Sequence, residues 1–200
     1  MKYFQIIFLL FFSCSLLAET RIDYYVNLGG IKIADANFTI KSDKNNWSLL
    51  TEVEAAGIVD VFVKFISTTE SKGIINDNKL VPELYKFSYL TGRGSSRNGS
   101  ITYKDNIPIR LAADPNYADD EKPSLKFLEK YGSASNDPYS ALLVHGSYTD
   151  PCQFIAQGFD GLRSFKTIFV RPAKEEKIKI GGQEVLTSKC VGYFDPIIGY

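Results

Sequence analysis

The sequence predicts a mainly β protein, built from an antiparallel curved sheet with one or two short helices. Twelve tyrosines and 14 phenylalanines stand beside many Val, Ile and Thr residues in a chain of 200, and these residue types are typical of strands. Fifteen glycines and eight prolines are spread along the chain and predict frequent turns. Several runs also alternate apolar with polar side chains, as strands with one buried face do.

The first three strands follow from this alternation. Residues 20–28 alternate, a Gly-Gly pair then makes a tight turn, and residues 31–40 and 47–55 continue the pattern. The apolar face changes parity near Ala34, which predicts a bulge. We therefore expect an antiparallel meander at the start of the domain.

A helix is predicted for residues 58–66, where apolar side chains recur at the spacing of one helical face. We expect this helix to close the open end of the curved sheet and to place its apolar stripe against the core. Contact with a membrane or a partner is the alternative. The stripe consists of Ile58, Val61, Phe62, Phe65 and Ile66.

Strands resume over residues 67–75 and 83–90. Residues 92–99 then form a polar, glycine-rich loop, which predicts a solvated hairpin tip carrying Arg93 and Arg97. The loop contains G-x-G, but it lacks a third glycine at the proper offset. A phosphate-binding role is therefore not supported.

Two short helices are predicted in the second half of the chain. Ser124 is placed to cap a helical turn that ends near Tyr131. Asp137 followed by Pro138 is typical of a helix start, with a capping residue and a proline in the first turn. We expect that helix to continue through residues 140–145.

Two hairpins follow. Residues 154–159 predict a strand, and the Asp160-Gly161 pair after it is a strong hairpin signal. Asp160 and Arg163 either form a local ion pair or serve the chemistry of the turn alone. A Gly-Gly pair at 181–182 predicts the second hairpin.

Residues 1–18 have the pattern of a signal peptide, with a basic start, an apolar stretch and Ala18 at the cleavage site. An uncleaved anchor helix and a lipid attached to Cys14 are the alternatives. Residues 19–200 then form a single β-rich domain in the periplasm. Because the chain stops on an apolar segment, we expect the natural domain to continue beyond Tyr200.

Removal of the signal peptide leaves Cys152 and Cys190, and an even pair in an exported protein predicts a disulfide. Closing a loop between these positions stabilises the fold by roughly 4 kcal/mol in the chain-entropy model. A metal site needs more Cys or His than this chain has, and a redox pair is usually C-x-x-C.

The composition argues against several function classes. Equal numbers of acidic and basic residues give a net charge of zero, which argues against nucleic-acid binding. Ser140 and His145 with Asp137 upstream resemble a hydrolase set, but their spacing suits no helical pairing and no G-x-S-x-G elbow is present. The acidic residues 113–123 lack calcium-loop spacing, so we expect a surface loop there. We expect no cofactor and no metal.

The order of several short motifs resembles a family of exported bacterial proteins, the domain of unknown function 3108. The motifs are L-G-G-I-K-I-A-D-A, G-I-V-D-V-F, L-V-P-E-L-Y, D-P-Y-S-A-L-L, F-D-G-L-R and C-V-G-Y-F-D-P-I-I-G-Y. The resemblance implies a periplasmic protein. By similarity to a related envelope-integrity family, it also implies a β-spiral or open barrel closed by a disulfide.

Three functions remain open. The first is a non-enzymatic module that supports the cell envelope through contacts with a periplasmic protein. The second is a carrier that holds a lipid or other apolar ligand in a curved sheet lined by Tyr and Phe. The third is a hydrolase.

Overall fold

The computed structural model describes residues 18–77, 79–92, 94–118, 122–133, 135–143, 150, 152–171, 176–180, 182–187 and 189–199, and all structural statements concern these residues. Several predictions fall elsewhere and lie outside the described residues. They concern residues 1–17 with Cys14, Arg93, the acidic residues Asp119, Asp120 and Glu121, and His145.

Seven strands form one antiparallel sheet in which every strand pairs with its neighbours in sequence. The two edges of this sheet are β1 and β7 in the described part of the chain. The mainly β, curved antiparallel architecture is therefore confirmed. The strands are β1 (Ala18–Leu28), β2 (Ile31–Ser42), β3 (Asn46–Ala55), β4 (Phe65–Asn76), β5 (Lys79–Thr91), β6 (Ser96–Lys104) and β7 (Ile107–Asp114).

The two faces of the sheet differ sharply, as the alternation in sequence predicts. On β3, Trp47, Leu49 and Thr51 are buried, whereas Leu50 and Glu52 between them are exposed. The buried face, called the inner face below, packs against the second half of the chain. The predicted bulge is confirmed, because the register of β1 and β2 shifts between Val26 and Asn27, close to Ala34.

Parts of the second half of the chain pack against the inner face. A three-stranded antiparallel sheet has the order β12-β9-β8, and a separate hairpin joins β10 to β11. A short helix follows β7, and Ser124 caps it as predicted, accepting the N–H of Phe127 at 3.2 Å. The elements are α2 (Leu125–Gly132), a 3-10 turn (Ser140–Leu142), β8 (Phe154–Phe159), β9 (Ser164–Val170), β10 (Glu176–Ile180), β11 (Gln183–Thr187) and β12 (Val191–Ile198).

The hydrophobic core lies where the inner face of β5 and β6 meets α2 and β8. Its buried members are Tyr85, Ile101, Tyr103, Leu128 and Phe159. Because β8 and α2 come from the second half of the chain, this core binds the two halves into one unit. None of the described helices is long and apolar enough to span a bilayer.

The predicted disulfide is present. Cys152 and Cys190 lie with their Cα atoms 5.1 Å apart and their sulfurs 1.99 Å apart. The bond joins the segment before β8 to the start of β12. An ion pair of 2.9 Å between Arg171 and Asp150 lies close to it in the chain. A structural disulfide is typical of proteins exported to an oxidising compartment.

The prediction of a helix over residues 58–66 that contacts the core is wrong. The helix α1 spans only Ile58–Phe62, and none of its residues is buried. Gly57 before it supplies no side-chain cap, and β-branched residues weaken the helix further. Phe65 instead begins β4 by pairing with Thr91. Strand pairing thus shortens the helix and leaves Ile58, Val61 and Phe62 of its apolar stripe exposed.

The prediction of a helix through residues 140–145 is also wrong. Ser140–Leu142 form a single 3-10 turn, and Leu143 is already extended. The N–H groups of Leu142 and Leu143 each bond the carbonyl three residues back, at 3.0 Å, rather than four. The turn is buried under the sheet, and that packing selects the tighter geometry.

Candidate functional site

The segment Asp137–Leu142, called the plug below, fills the middle of the inner face. It lies over β4, whose inward positions hold Ser67, Thr69 and Ser71. These small side chains leave room for the plug between the larger residues of the neighbouring strands. Asp137 itself is completely buried.

Asp137 organises the plug through its carboxylate. One oxygen accepts the N–H groups of Tyr139 at 3.1 Å and Ser140 at 3.0 Å. The other oxygen accepts a short hydrogen bond from the Ser140 hydroxyl. The D-P-Y-S sequence therefore forms the capping interaction predicted for Asp137, although only one helical turn follows it.

Burial raises the pKa of the Asp137 carboxyl above its ordinary value, and the hydrogen bonds from Ser140 oppose that rise. Ser71 lies close enough to lower this pKa as well, although its hydroxyl lacks a partner of ordinary hydrogen-bond geometry among the described residues. Burial likewise raises the pKa of Tyr85 well above its usual range, and the Asp137 charge adds to that effect. The interior beneath the plug therefore disfavours negative charge.

The plug is held in place by β8. Asn136 donates its N–H to the Gln157 carbonyl at 3.1 Å and accepts the N–H of Phe159 at 2.9 Å. The Gln157 amide also donates to the Ser135 hydroxyl at 2.9 Å. The chain just before the plug therefore adds a short parallel bridge to β8.

A groove of about 530 Å³ lies on the inner face beside the plug. Strands β4, β5 and β6 form its floor, while the plug, the β8–β9 turn and the loop after β7 form its walls. Cavities of this size are typical of small-molecule sites. Its aromatic lining residues are Phe65, Tyr85, Phe87, Tyr89, Tyr117, Tyr139 and Phe165.

Two of these rings lie flat over glycines on the neighbouring strand. Phe87 pairs with Gly99 on β6, and a Cβ added at Gly99 would collide with the ring. Phe165 of β9 pairs with Gly158 of β8 in the same manner. Each glycine thus gives an aromatic ring a place against the backbone, which fixes the shape of the groove.

Arg97 is the unexpected residue of the groove, and the prediction that it lies at a solvated tip is wrong. Strand β6 already begins at Ser96, so Arg97 pairs with Tyr89 inside the ladder and points to the inner face. Its guanidinium lies 4.4 Å from the centre of the Tyr117 ring. Burial raises the pKa of Tyr117, and the charge of Arg97 opposes that rise.

The β8–β9 turn contributes Asp160 and Arg163 to the groove wall. The Asp160 carboxylate accepts the N–H groups of Leu162 at 2.9 Å and Arg163 at 2.7 Å. Gly161 has a φ of 101°, a conformation that favours glycine. The predicted hairpin and the turn role of Asp160 are therefore confirmed.

The residues singled out in the sequence thus have two places. Asp137 and Ser140 lie buried within the plug, whereas Pro138, Asp160 and Arg163 meet at the groove. The sequence suggests a ligand-binding sheet lined by Tyr and Phe, but it does not identify which of these residues form the aromatic floor. The available signal was the register, since inward positions of β5 and β6 follow from the alternation once the hairpin is placed correctly.

The described residues contain no group of three or more His, Cys, Asp or Glu side chains that suits a metal ion. A second cavity, of about 450 Å³, lies between β7 and α2. It includes Arg110, Lys122 and Leu125 but no described acidic side chain. Tyr117 is the one aromatic side chain in its described lining, against seven in the groove beside the plug, which is therefore the stronger candidate for binding an apolar ligand.

Comparison with known proteins gives a family and no nearer relative. No curated protein and no solved structure matches the chain. A family model described as protein of unknown function (DUF3108) matches residues 21–191, which include most of β1, all of β2 to β11 and only the first residue of β12. The chain therefore belongs to the DUF3108 family of proteins of unknown function.

Proposed function

We propose that the protein is a non-enzymatic periplasmic binding protein whose groove holds a ligand with a large apolar surface. The observation that carries the proposal is the groove of about 530 Å³, whose floor is aromatic and whose described charged lining residues are Arg97, Asp160 and Arg163. Pockets of this composition bind ligands mainly through apolar burial, while a few polar groups orient them.

Two further features support a binding role rather than catalysis. The hydroxyl of Ser140 and the carboxylate of Asp137 are both buried and bonded to each other inside the plug. A substrate in the groove meets Pro138 and Tyr139 instead. The disulfide agrees with an oxidising compartment such as the periplasm.

The proposal is tested with a neutral fluorescent probe, N-phenyl-1-naphthylamine, added to the purified full-length protein. We expect saturable binding to one site per chain. The variant Thr91→Trp places an indole in the groove and should abolish the fluorescence increase. Thr68→Trp places the same indole on the exposed outer face of β4 and should leave binding unchanged.

Native mass spectrometry after gentle purification provides the second measurement. An adduct of constant mass on the wild-type protein, absent from Thr91→Trp, supports the proposal. Absence of probe binding together with absence of any adduct contradicts it, provided that the circular dichroism of both variants matches the wild type.

A second candidate function, support of the cell envelope through protein contacts, is favoured by an apolar rim. The rim joins the tip of the β1–β2 hairpin to α1, which begins beside Lys32. Tyr25, Leu28, Val61 and Phe62 are each at least 70% exposed. Exposed apolar patches of this kind mark interaction surfaces.

If the protein supports the cell envelope through protein contacts, its partner should bind at the apolar rim. Chemical cross-linking in intact cells, followed by affinity capture, should recover the same partner repeatedly with the wild-type chain. Phe62→Ser should reduce its yield, whereas Thr68→Trp should not. Equal recovery with Phe62→Ser would show that the rim is not the contact.

A further inference from the structure

The described lining of the groove contains three charged side chains. Among the described residues that line it, Arg97 and Arg163 are basic and Asp160 alone is acidic. The Asp160 carboxylate already accepts two backbone N–H groups of its own turn. Arg97 therefore places a guanidinium on an aromatic floor, in a chain whose net charge is zero.

Arg97 is placed on this floor by the register of the sheet. It lies on the inner face of β6, directly opposite Tyr89 of β5, which in turn lies opposite Ser67 of β4. These three paired residues form a row across the strands, and its last member, Arg97, places a guanidinium beside aromatic side chains. An arginine that is half-buried at such a place costs desolvation, which an anionic ligand offsets.

The contact with Tyr117 orients the guanidinium. Its centre lies 4.4 Å from the ring centroid, the geometry of a cation–π contact. Tyr117 also shares a side-chain hydrogen bond with Arg97. Because a guanidinium has five N–H donors, Tyr117 holds Arg97 in place and leaves it further donors for a carboxylate or phosphate.

We propose that the groove takes a single-chain amphiphile with an anionic head group, a carboxylate or a phosphate. This inference rests on the proposed function. The acyl chain lies on the aromatic floor formed by Phe65 and Phe87, and the head group meets Arg97. Arg163 lies on the opposite wall of the same groove.

The test compares two probes that differ only in charge. The full-length protein is titrated with 11-(dansylamino)undecanoic acid and with its methyl ester, and dansyl fluorescence is measured. We expect the acid to bind about tenfold more tightly than the ester, as a charge-assisted hydrogen bond predicts. Raising the salt concentration should weaken binding of the acid more than that of the ester.

Two variants locate the effect. Arg97→Gln should reduce the preference for the acid to less than about threefold, because it removes the charge and keeps much of the side-chain length. Arg21→Gln alters an exposed arginine of β1, away from the groove, and should keep the full preference. Thermal unfolding of both variants should match that of the wild type.

The head group is then identified by displacement of the bound acid. Palmitate or hexadecyl phosphate should displace it at lower concentration than hexadecanol, and the better of the two anions identifies the head group. Equal potency of hexadecanol contradicts the inference, as does an unchanged preference in Arg97→Gln. Equal binding of acid and ester overturns the anionic head group and leaves the proposed function standing. Failure of both probes overturns the proposed function itself.

Discussion

The inner face of the seven-stranded sheet has two halves that differ in what covers them. In the plugged half, Thr69 and Ser71 lie beneath Asp137 and Ser140, and the chain itself fills the space. In the groove half, the same strands present Phe65, Phe87 and Tyr89 together with Arg97, and the space is open. The backbone pairing is antiparallel in both halves, and the register of β4 and β5 shifts between Lys72 and Gly73, beyond Ser71.

The difference arises from side-chain size along single strands. Strand β4 changes from Phe65 at its start to Ser67, Thr69 and Ser71 further along, all facing inward. Small hydroxyl side chains admit a buried turn of the same chain, whereas large aromatic side chains build walls and a floor. The sheet therefore uses one half for stability and offers the other half for binding.

The largest expected effect is a difference in stability between two matched substitutions, one in the core and one in the groove. Phe159→Ala removes a completely buried ring from the core and should lower the free energy of unfolding by about 3 to 5 kcal/mol. Phe65→Ala removes a half-buried ring of the groove and should cost about 1 kcal/mol. Urea denaturation followed by circular dichroism gives both values.

The binding of N-phenyl-1-naphthylamine should show the opposite order. Phe65→Ala should weaken the binding of the probe. Phe159→Ala should leave probe binding unchanged in the absence of urea, where this variant is folded. Similar stability losses in the two variants would contradict the division into a stabilising half and a binding half.

A second, smaller effect is that the free energy of unfolding depends on pH through Asp137 in the plug. Burial raises the pKa of Asp137 above its ordinary value of 3.8, so the folded state favours the protonated carboxyl. The stability that this preference contributes is present below pH 3.8 and is lost as the pH rises through the folded-state pKa. Asp137→Asn keeps a neutral group there and should gain stability relative to the wild type over that rise.

Asp43 provides the matched control, because its pKa shifts in the other direction. Backbone N–H groups of Asn45 and Asn46 lower the pKa of this exposed carboxyl. Relative to Asp43→Asn, the wild type should therefore lose stability as the pH falls. Urea titrations between pH 3 and pH 8 measure both differences. Slopes of equal sign would show that burial does not control Asp137.

The sequence predicts the sheet better than it predicts the site. Alternation locates the strands of the meander because its period of two is set by the pleat, and the two cysteines predict the disulfide. The plug is only partly predicted. Asp137 and Pro138 have the composition of a helix start, but burial under β4 limits the helix to one turn. That packing is a long-range property which local pattern does not contain.

Arg97 and α1 show that a local sequence pattern does not decide burial. Arg97 is more buried than its sequence context predicts, and α1 is more exposed. A glycine-rich, polar segment predicts a solvated loop, yet pairing with β5 extends β6 to Ser96 and turns Arg97 inward. An apolar helical stripe predicts a core contact, yet α1 lies beyond the covered part of the sheet. In both cases the residue types are ordinary, and the neighbouring strands decide which side chains become buried.

The smallest expected effect concerns the exposed helix α1, a third region that belongs to neither half of the inner face. Phe62 is 79% exposed, so Phe62→Ser removes little buried apolar area. The substitution should change the free energy of unfolding by less than about 0.5 kcal/mol. Because the sequence alone predicts a core contact for this residue, a loss of several kcal/mol would restore that prediction and remove the apolar rim as an interaction surface. An unchanged stability, together with reduced partner recovery, would instead assign α1 to binding and leave folding to the plugged half.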